Sequence, residues 1–116
     1  ACTFCSALTG ELNLISQDAA VRKAALDFLK DGIRVAAELG SPVFLGPFCS
    51  PVGKHTGQRP TSEEWNRAAE GFAALGPELD ACGVNLAHEP LNRFETYFTT
   101  TSAEVLQLCE QVGHPR

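Results

Sequence analysis

The stretch Val84-Asn-Leu-Ala-His-Glu-Pro-Leu-Asn-Arg-Phe-Glu-Thr-Tyr-Phe98 changes character halfway along. Its first half alternates as a strand does, with Val84, Leu86 and His88 on one face and Asn85, Ala87 and Glu89 on the other. Pro90 removes a ladder donor, so the strand should end near Glu89. A carboxylate is thereby held on a rigid strand end. A polar loop follows, in which Asn92, Arg93 and Glu95 stand among Phe94, Tyr97 and Phe98. In parallel α/β folds ligands gather at the carboxyl ends of strands, and in barrels catalytic groups come from those ends.

Outward from this stretch, the chain repeats one cycle of strand and helix. Cys2 to Leu8 reads as a first strand, stopped by Thr9-Gly10. Ser16 or Asp18 can cap the helix that follows, whose apolar stripe is Val21, Ala25, Phe28, Leu29, Ile33, Ala36 and Leu39. Gly40 ends it, and Pro42 to Gly46 forms a short apolar strand of the kind buried in a parallel sheet. Pro47 to Pro60 is long for a connection and suits a lid or substrate wall. Its Lys54, His55 and Arg59 lack an ordered glycine-rich phosphate motif and read as solvated.

Thr61-Ser-Glu-Glu64 is a capping box, and Trp65, Ala68, Phe72, Leu75 and Leu79 make the next stripe, which Gly76-Pro77 must kink or break. Thr101-Ser-Ala-Glu104 caps a last helix with Val105, Leu108, Cys109 and Val112 as its stripe. His114, beside Gly113 and Pro115, is expected as a helix C-terminal cation. Such alternation implies a parallel sheet with right-handed crossovers. Each unit takes about forty residues, and eight units make a closed barrel of ~250. Three cannot close one, so two strand edges are left for a partner or for further sequence to cover.

Composition narrows the function. The 116 residues are 44% hydrophobic and 20% charged, enough for one soluble domain with a modest core. A net charge of -5 argues against nucleic acid or an anionic membrane as partner. No apolar run approaches a membrane span of ~20 residues, and Ala1 to Leu8 carries no basic leader. Methionine is absent even at position 1, so the chain is expected to be processed or part of something longer. Five cysteines, an odd number set mostly in apolar segments, suit free thiols in a reducing cytosol. Cys2-Thr-Phe-Cys5 matches a redox spacing, but strand residues three apart face opposite sides.

The run Glu89-Pro-Leu-Asn-Arg-Phe-Glu95 closely resembles a motif of the ketose 3-epimerases, within the xylose-isomerase-like TIM-barrel superfamily. Similarity extends through Ser16 to Arg22, Ala36 to Val43 and Gly46-Pro-Phe48, covering nearly the whole chain. The resemblance implies that residues 1–116 are a partial barrel similar to the third, fourth and fifth βα units. It implies a divalent metal, Mn²⁺, Mg²⁺ or Co²⁺, and a ketose or related sugar as the small-molecule ligand. In such chemistry a proton leaves the carbon beside the carbonyl and one returns on the opposite face, through a cis-enediolate.

By the same resemblance, Glu89 matches the glutamate that binds the metal and acts as one acid/base, and Glu95 one that bonds the sugar's terminal hydroxyl region. Cys5 aligns with a pocket-lining cysteine, and Pro47 and Phe48 with an apolar wall. Asn92 and Arg93 pin the loop, whereas His88 should point away from Glu89 toward the helices. The family completes its site with an aspartate, a histidine and a second catalytic glutamate from its last three strands, which nothing here matches. The chain alone is therefore expected to be inactive, needing the rest of a barrel or an assembly such as a homo-oligomer. Two other readings remain. One is a non-catalytic partial barrel that self-associates or binds a partner through open sheet edges. The other is the abasic-site endonuclease branch of the superfamily, which needs a histidine cluster and a basic DNA face that this acidic chain does not show.

Overall fold

Residues 2–116 are described by a computed structural model. Its elements run β1 (Phe4–Cys5), α1 (Ala19–Glu38), β2 (Val43–Gly46), α2 (Ser62–Ala73), α3 (Gly76–Cys82), β3 (Asn85–His88) and α4 (Ser102–Val112). The three strands pair in parallel in the order β1-β2-β3, with Phe4 opposite Phe44, Phe44 opposite Leu86 and Gly46 opposite His88. Successive strands are thus neighbours, each pair joined by helical crossovers, as the alternation predicts.

Helix boundaries follow local chemistry. Asp18 accepts from Ala20 N–H at 2.8 Å and caps α1. Thr61 and Thr101 each close a reciprocal capping box, with Glu64 and Glu104 as partners. Gly76-Pro77 splits the second helical region into α2 and α3, because proline lacks the amide that would continue the ladder but suits a helix's first turn.

Packing is one-sided. Phe44, on β2, is fully buried between Phe4 and Phe48, with ring centroids at 5.4 and 4.6 Å. α1 crosses it closely, and a Cβ added at Gly32 would collide with the Phe44 ring. Ala25, Leu29, Ile33 and Ala36 of α1, with Phe72, Leu75 and Leu79, complete this helix-side core. On the other face of the sheet lie Cys5, Val43, Leu45, Asn85, Ala87 and Glu89, none of them buried. A parallel sheet with helices on one face and nothing over the other fits a sector of a barrel wall, its uncovered face corresponding to the barrel interior.

Several expectations need correction. The first strand spans only Phe4–Cys5, not Cys2 to Leu8. Ser6 N–H still bonds Leu45 at 3.0 Å, but the carbonyl of Leu8 already accepts from Val52, outside the sheet. β2 is not enclosed on both faces, since Val43 and Leu45 lie on the uncovered side. Leu39 is the C-cap of α1, exposed instead of buried in its stripe. Cys109 is likewise exposed, because α4 turns Leu108 inward and its neighbouring face toward an open groove lined by Leu86, Val105 and Val112. His114 follows the C-cap of α4, its Nε2 3.2 Å from Asp80 and its Nδ1 accepting from Arg116 N–H. No helix is long and apolar enough to cross a membrane among the described residues.

Candidate active site at the carboxyl end of the sheet

Glu89 leaves the sheet one residue beyond β3, its own N–H bonded to Gly46 at 2.9 Å. That bond fixes its backbone to β2. Alternation places its side chain on the uncovered face, in line with Ala87, while His88 points into the helix layer, as the sequence implies. The ring of His88 lies 5.4 Å from that of Phe72. Nδ1 accepts from Phe48 N–H at 3.2 Å; Nε2 meets the Thr99 hydroxyl at 2.9 Å and Cys49 Sγ at 3.5 Å. Burial drives the imidazole down to a pKa of about 4, against a weaker opposing effect of the Gly46 backbone, so it is neutral near pH 7.

The loop after Glu89 is built on Asn92. Its Oδ1 accepts from Phe94 N–H at 2.9 Å and its carbonyl from Glu95 and Thr96 at 3.0 and 3.1 Å. Its side-chain amide donates to Glu95 Oε2, orienting that carboxylate. Asn92 therefore pins the loop; Arg93 stacks on the exposed Phe94, 5.2 Å from its ring centroid. The connection from Pro47 to Pro60 meets this loop. Gly53 N–H donates to the carbonyl of Glu95 at 2.7 Å, and His55 Nε2 lies 3.2 Å from that of Phe94. Lys54 and Arg59 stand exposed on this loop, as a solvated reading requires.

The residues singled out from the sequence separate into four groups. Glu89 and Pro47 line one small cavity together with Ser50, Leu91 and Thr96. Cys5 is exposed in the row Cys5–Leu45–Ala87, on the same face as Glu89 and one step below it. Glu95 is exposed on the loop. Phe48, by contrast, turns into the core with none of its surface exposed, its ring tilted against that of Phe44, and lines no part of that cavity. All five thiols are free, and burial pushes that of Cys49 well up, keeping it protonated.

Two features escaped the sequence reading. Thr99 is buried with φ of 51°, a left-handed conformation rare for a β-branched residue. Tyr97 donates its hydroxyl proton to Glu64 Oε1 at 2.7 Å, tying the loop to the start of α2. Neither has a periodic or motif signal. A metal centre needs several converging ligands, and no group of three or more His, Cys, Asp or Glu side chains comes together among the described residues.

Comparison with known proteins agrees with this architecture. The family model of the xylose isomerase-like TIM barrel matches residues 1–116. A probable ketose 3-epimerase of Synechocystis sp. is 32% identical over 114 residues, 98% of this chain and 40% of the relative. The D-psicose 3-epimerase of Ruminiclostridium cellulolyticum is 32% identical over 108 residues, 91% of this chain and 36% of that protein. Among solved structures, an L-ribulose 3-epimerase superposes with a TM-score of 0.91 at 28% identity, over 97% of this chain and 38% of that one. A D-psicose 3-epimerase crystallised in the presence of D-fructose gives 0.86 at 29% identity, over 97% and 39%. The chain thus spans about 40% of the length of the relatives it matches. It belongs to the xylose isomerase-like TIM-barrel family, with ketose 3-epimerases of the sugar isomerase and epimerase superfamily as its relatives.

Proposed function

We propose that these residues form one wall of the active centre of a ketose 3-epimerase. The observation that carries the reading is the place of Glu89: a carboxylate at the carboxyl end of β3, on the sheet face that no helix covers, with the Asn92–Glu95 loop built directly beyond it. Glu89 takes the proton from the sugar carbon beside the carbonyl, leaving an enediolate. A second acid, from outside these residues, returns a proton to the other face, and reversal of the roles runs the reaction backwards. Glu95, held by Asn92, accepts hydrogen bonds from sugar hydroxyls, while Cys5 and Pro47 contribute surface to the sugar's binding site. Fixing both carboxylates before the ligand arrives reduces the entropy lost on binding.

A divalent metal such as Mn²⁺, Mg²⁺ or Co²⁺ would supply electrostatic stabilisation of the enediolate. Glu89 fits as one of its oxygen ligands. The other ligands would have to come from beyond these residues, so the steps assigned to this chain are proton transfer and sugar orientation only.

A chimera tests the reading: these 116 residues replace the matching segment of a ketose 3-epimerase, and epimerisation of D-psicose is followed with Mn²⁺ present. Activity that falls with Glu95→Ala, chiefly through a raised KM, supports it. A folded chimera without turnover contradicts it. A second reading is favoured by the uncovered strip of Val43, Leu45 and Ala87: a partial barrel that self-associates across this face. Concentration-dependent association of the 116-residue chain, indifferent to metal, would favour it.

A further inference from the structure

Glu89 and Glu95 lie in an eleven-residue excursion, 89–99, that leaves β3 and returns just before α4. The two ends of this excursion meet where Leu91 N–H donates to the carbonyl of Thr99 at 3.3 Å. Directly behind that meeting point is His88, the last residue of β3. We propose that His88 is a positioning residue: its imidazole clamps the base of the 89–99 loop to the exit of β2, and so sets where Glu95 stands relative to Glu89.

The geometry fixes how the clamp works. An amide N–H can only donate, so the bond from Phe48 requires a bare lone pair at His88 Nδ1. The ring is therefore the tautomer with its proton on Nε2, which donates to the Thr99 hydroxyl at 2.9 Å. One ring thus joins the backbone of the β2 exit to a side chain at the far end of the loop, forty residues one way and eleven the other. Thr99 needs such a restraint. At φ of 51° it holds a conformation that threonine rarely adopts, and a strained backbone persists only where its surroundings determine it. Its buried hydroxyl on His88 and its carbonyl on Leu91 supply that determination. From there the restraint passes outward: Leu91 leads to Asn92, which orients the Glu95 carboxylate, and the carbonyl of Glu95 receives Gly53 N–H. Glu89 needs no such help, because its backbone is already fixed by Gly46.

What the clamped loop presents to a sugar rests on the function proposed above, but the clamp can be tested without catalysis. Amide hydrogen exchange would be followed by NMR on the whole 116-residue chain and three variants. Thr99→Val keeps the shape and deletes the acceptor; the amides of Leu91 and Gly53 should exchange about three- to tenfold faster, the effect of losing one hydrogen bond. Glu89 N–H, in the sheet ladder, should be unchanged. His88→Phe should add loss of protection at Phe48. His88→Gln, whose amide can donate to the Thr99 hydroxyl, should restore Leu91 and Gly53. Unaltered exchange at Leu91 and Gly53 in Thr99→Val would overturn the proposal, as would a uniform increase across sheet and loop that glutamine fails to rescue. If His88→Phe does not fold, the shape-conserving Thr99→Val still decides. A chimera inactive on ketoses with this exchange pattern intact would sink the sugar chemistry and leave the clamp; an active chimera lacking the pattern would do the reverse.

Discussion

The hydroxyl of Tyr97 donates to Glu64 at 2.7 Å, and the other oxygen of the same carboxylate accepts from Thr61 N–H at 2.8 Å. One side chain therefore closes the capping box of α2 and anchors the loop that follows β3. Burial of the ring, and after it the charged acceptor, raises the Tyr97 hydroxyl far above its ordinary pKa, so it stays a donor at any physiological pH. Tyr97→Phe should cost about 1.5–3 kcal/mol, the usual worth of a hydrogen bond to a charged group. Glu64→Ala should lose that bond and the cap, about 1 kcal/mol more. Urea unfolding of both variants and of the double mutant checks the link. Additive losses would mean that cap and loop do not share the carboxylate.

Gly32 packs against the ring of Phe44 so closely that a methyl group has no room. Gly32→Ala should therefore destabilise by about 1–3 kcal/mol, although alanine is the better helix former. Adding Phe44→Leu should recover part of that loss by vacating the ring's edge. A stabilised Gly32→Ala protein in thermal unfolding would show that α1 can withdraw from the sheet at no cost.

Stability should fall as the solution is made mildly acidic. The folded imidazole of His88 titrates at about 4, below its ordinary 6.5. Above about pH 6.5 it is neutral folded or unfolded and its environment costs nothing. Between there and about pH 4 the unfolded chain binds a proton that the folded chain excludes, so unfolding is favoured as pH drops. Between pH 7 and pH 5 the loss should reach about 2 kcal/mol. Glu78, held below the ordinary carboxylate range by Arg34, and Glu104, where burial is outweighed by the Thr100 and Thr101 amides and hydroxyls together, contribute their losses at lower pH. Chemical unfolding at the two pH values, with His88→Gln for reference, measures the difference. Equal slopes in the two proteins would remove His88 as the cause.

How much of this was legible in the sequence depended on the range of the interaction involved. Asp18, Thr61 and Thr101 announce their helices because a cap is a contact between near neighbours. The opposite facing of His88 and Glu89 follows from strand geometry alone, and the break at Gly76-Pro77 from proline's missing amide. Phe48 was misleading, since a residue just past a strand faces either the ligand or the core according to the turn the chain takes. The exposure of Cys109 reflects the groove beside β3, which no periodicity encodes. The left-handed Thr99 and the Tyr97–Glu64 bond depend on loops from distant parts of the chain meeting. The motif Glu89 to Glu95 pointed to the family, and the pairing of β2 with β3 shows which side of the sheet Glu89 shares with Ala87 and Leu45.

If Glu89 moves the proton, isotope exchange at the carbon beside the carbonyl will read it. The chimera carrying these 116 residues would be incubated with D-psicose and Mn²⁺ in D₂O, and deuterium at the carbon beside the carbonyl followed by NMR, with Glu89→Gln alongside. Glutamine keeps the shape and an oxygen donor but cannot serve as a base, so wash-in should fall by at least about a hundredfold, the lower bound of a general base's contribution. Deuterium entering at an undiminished rate in Glu89→Gln would contradict the account and assign the proton transfer to another group.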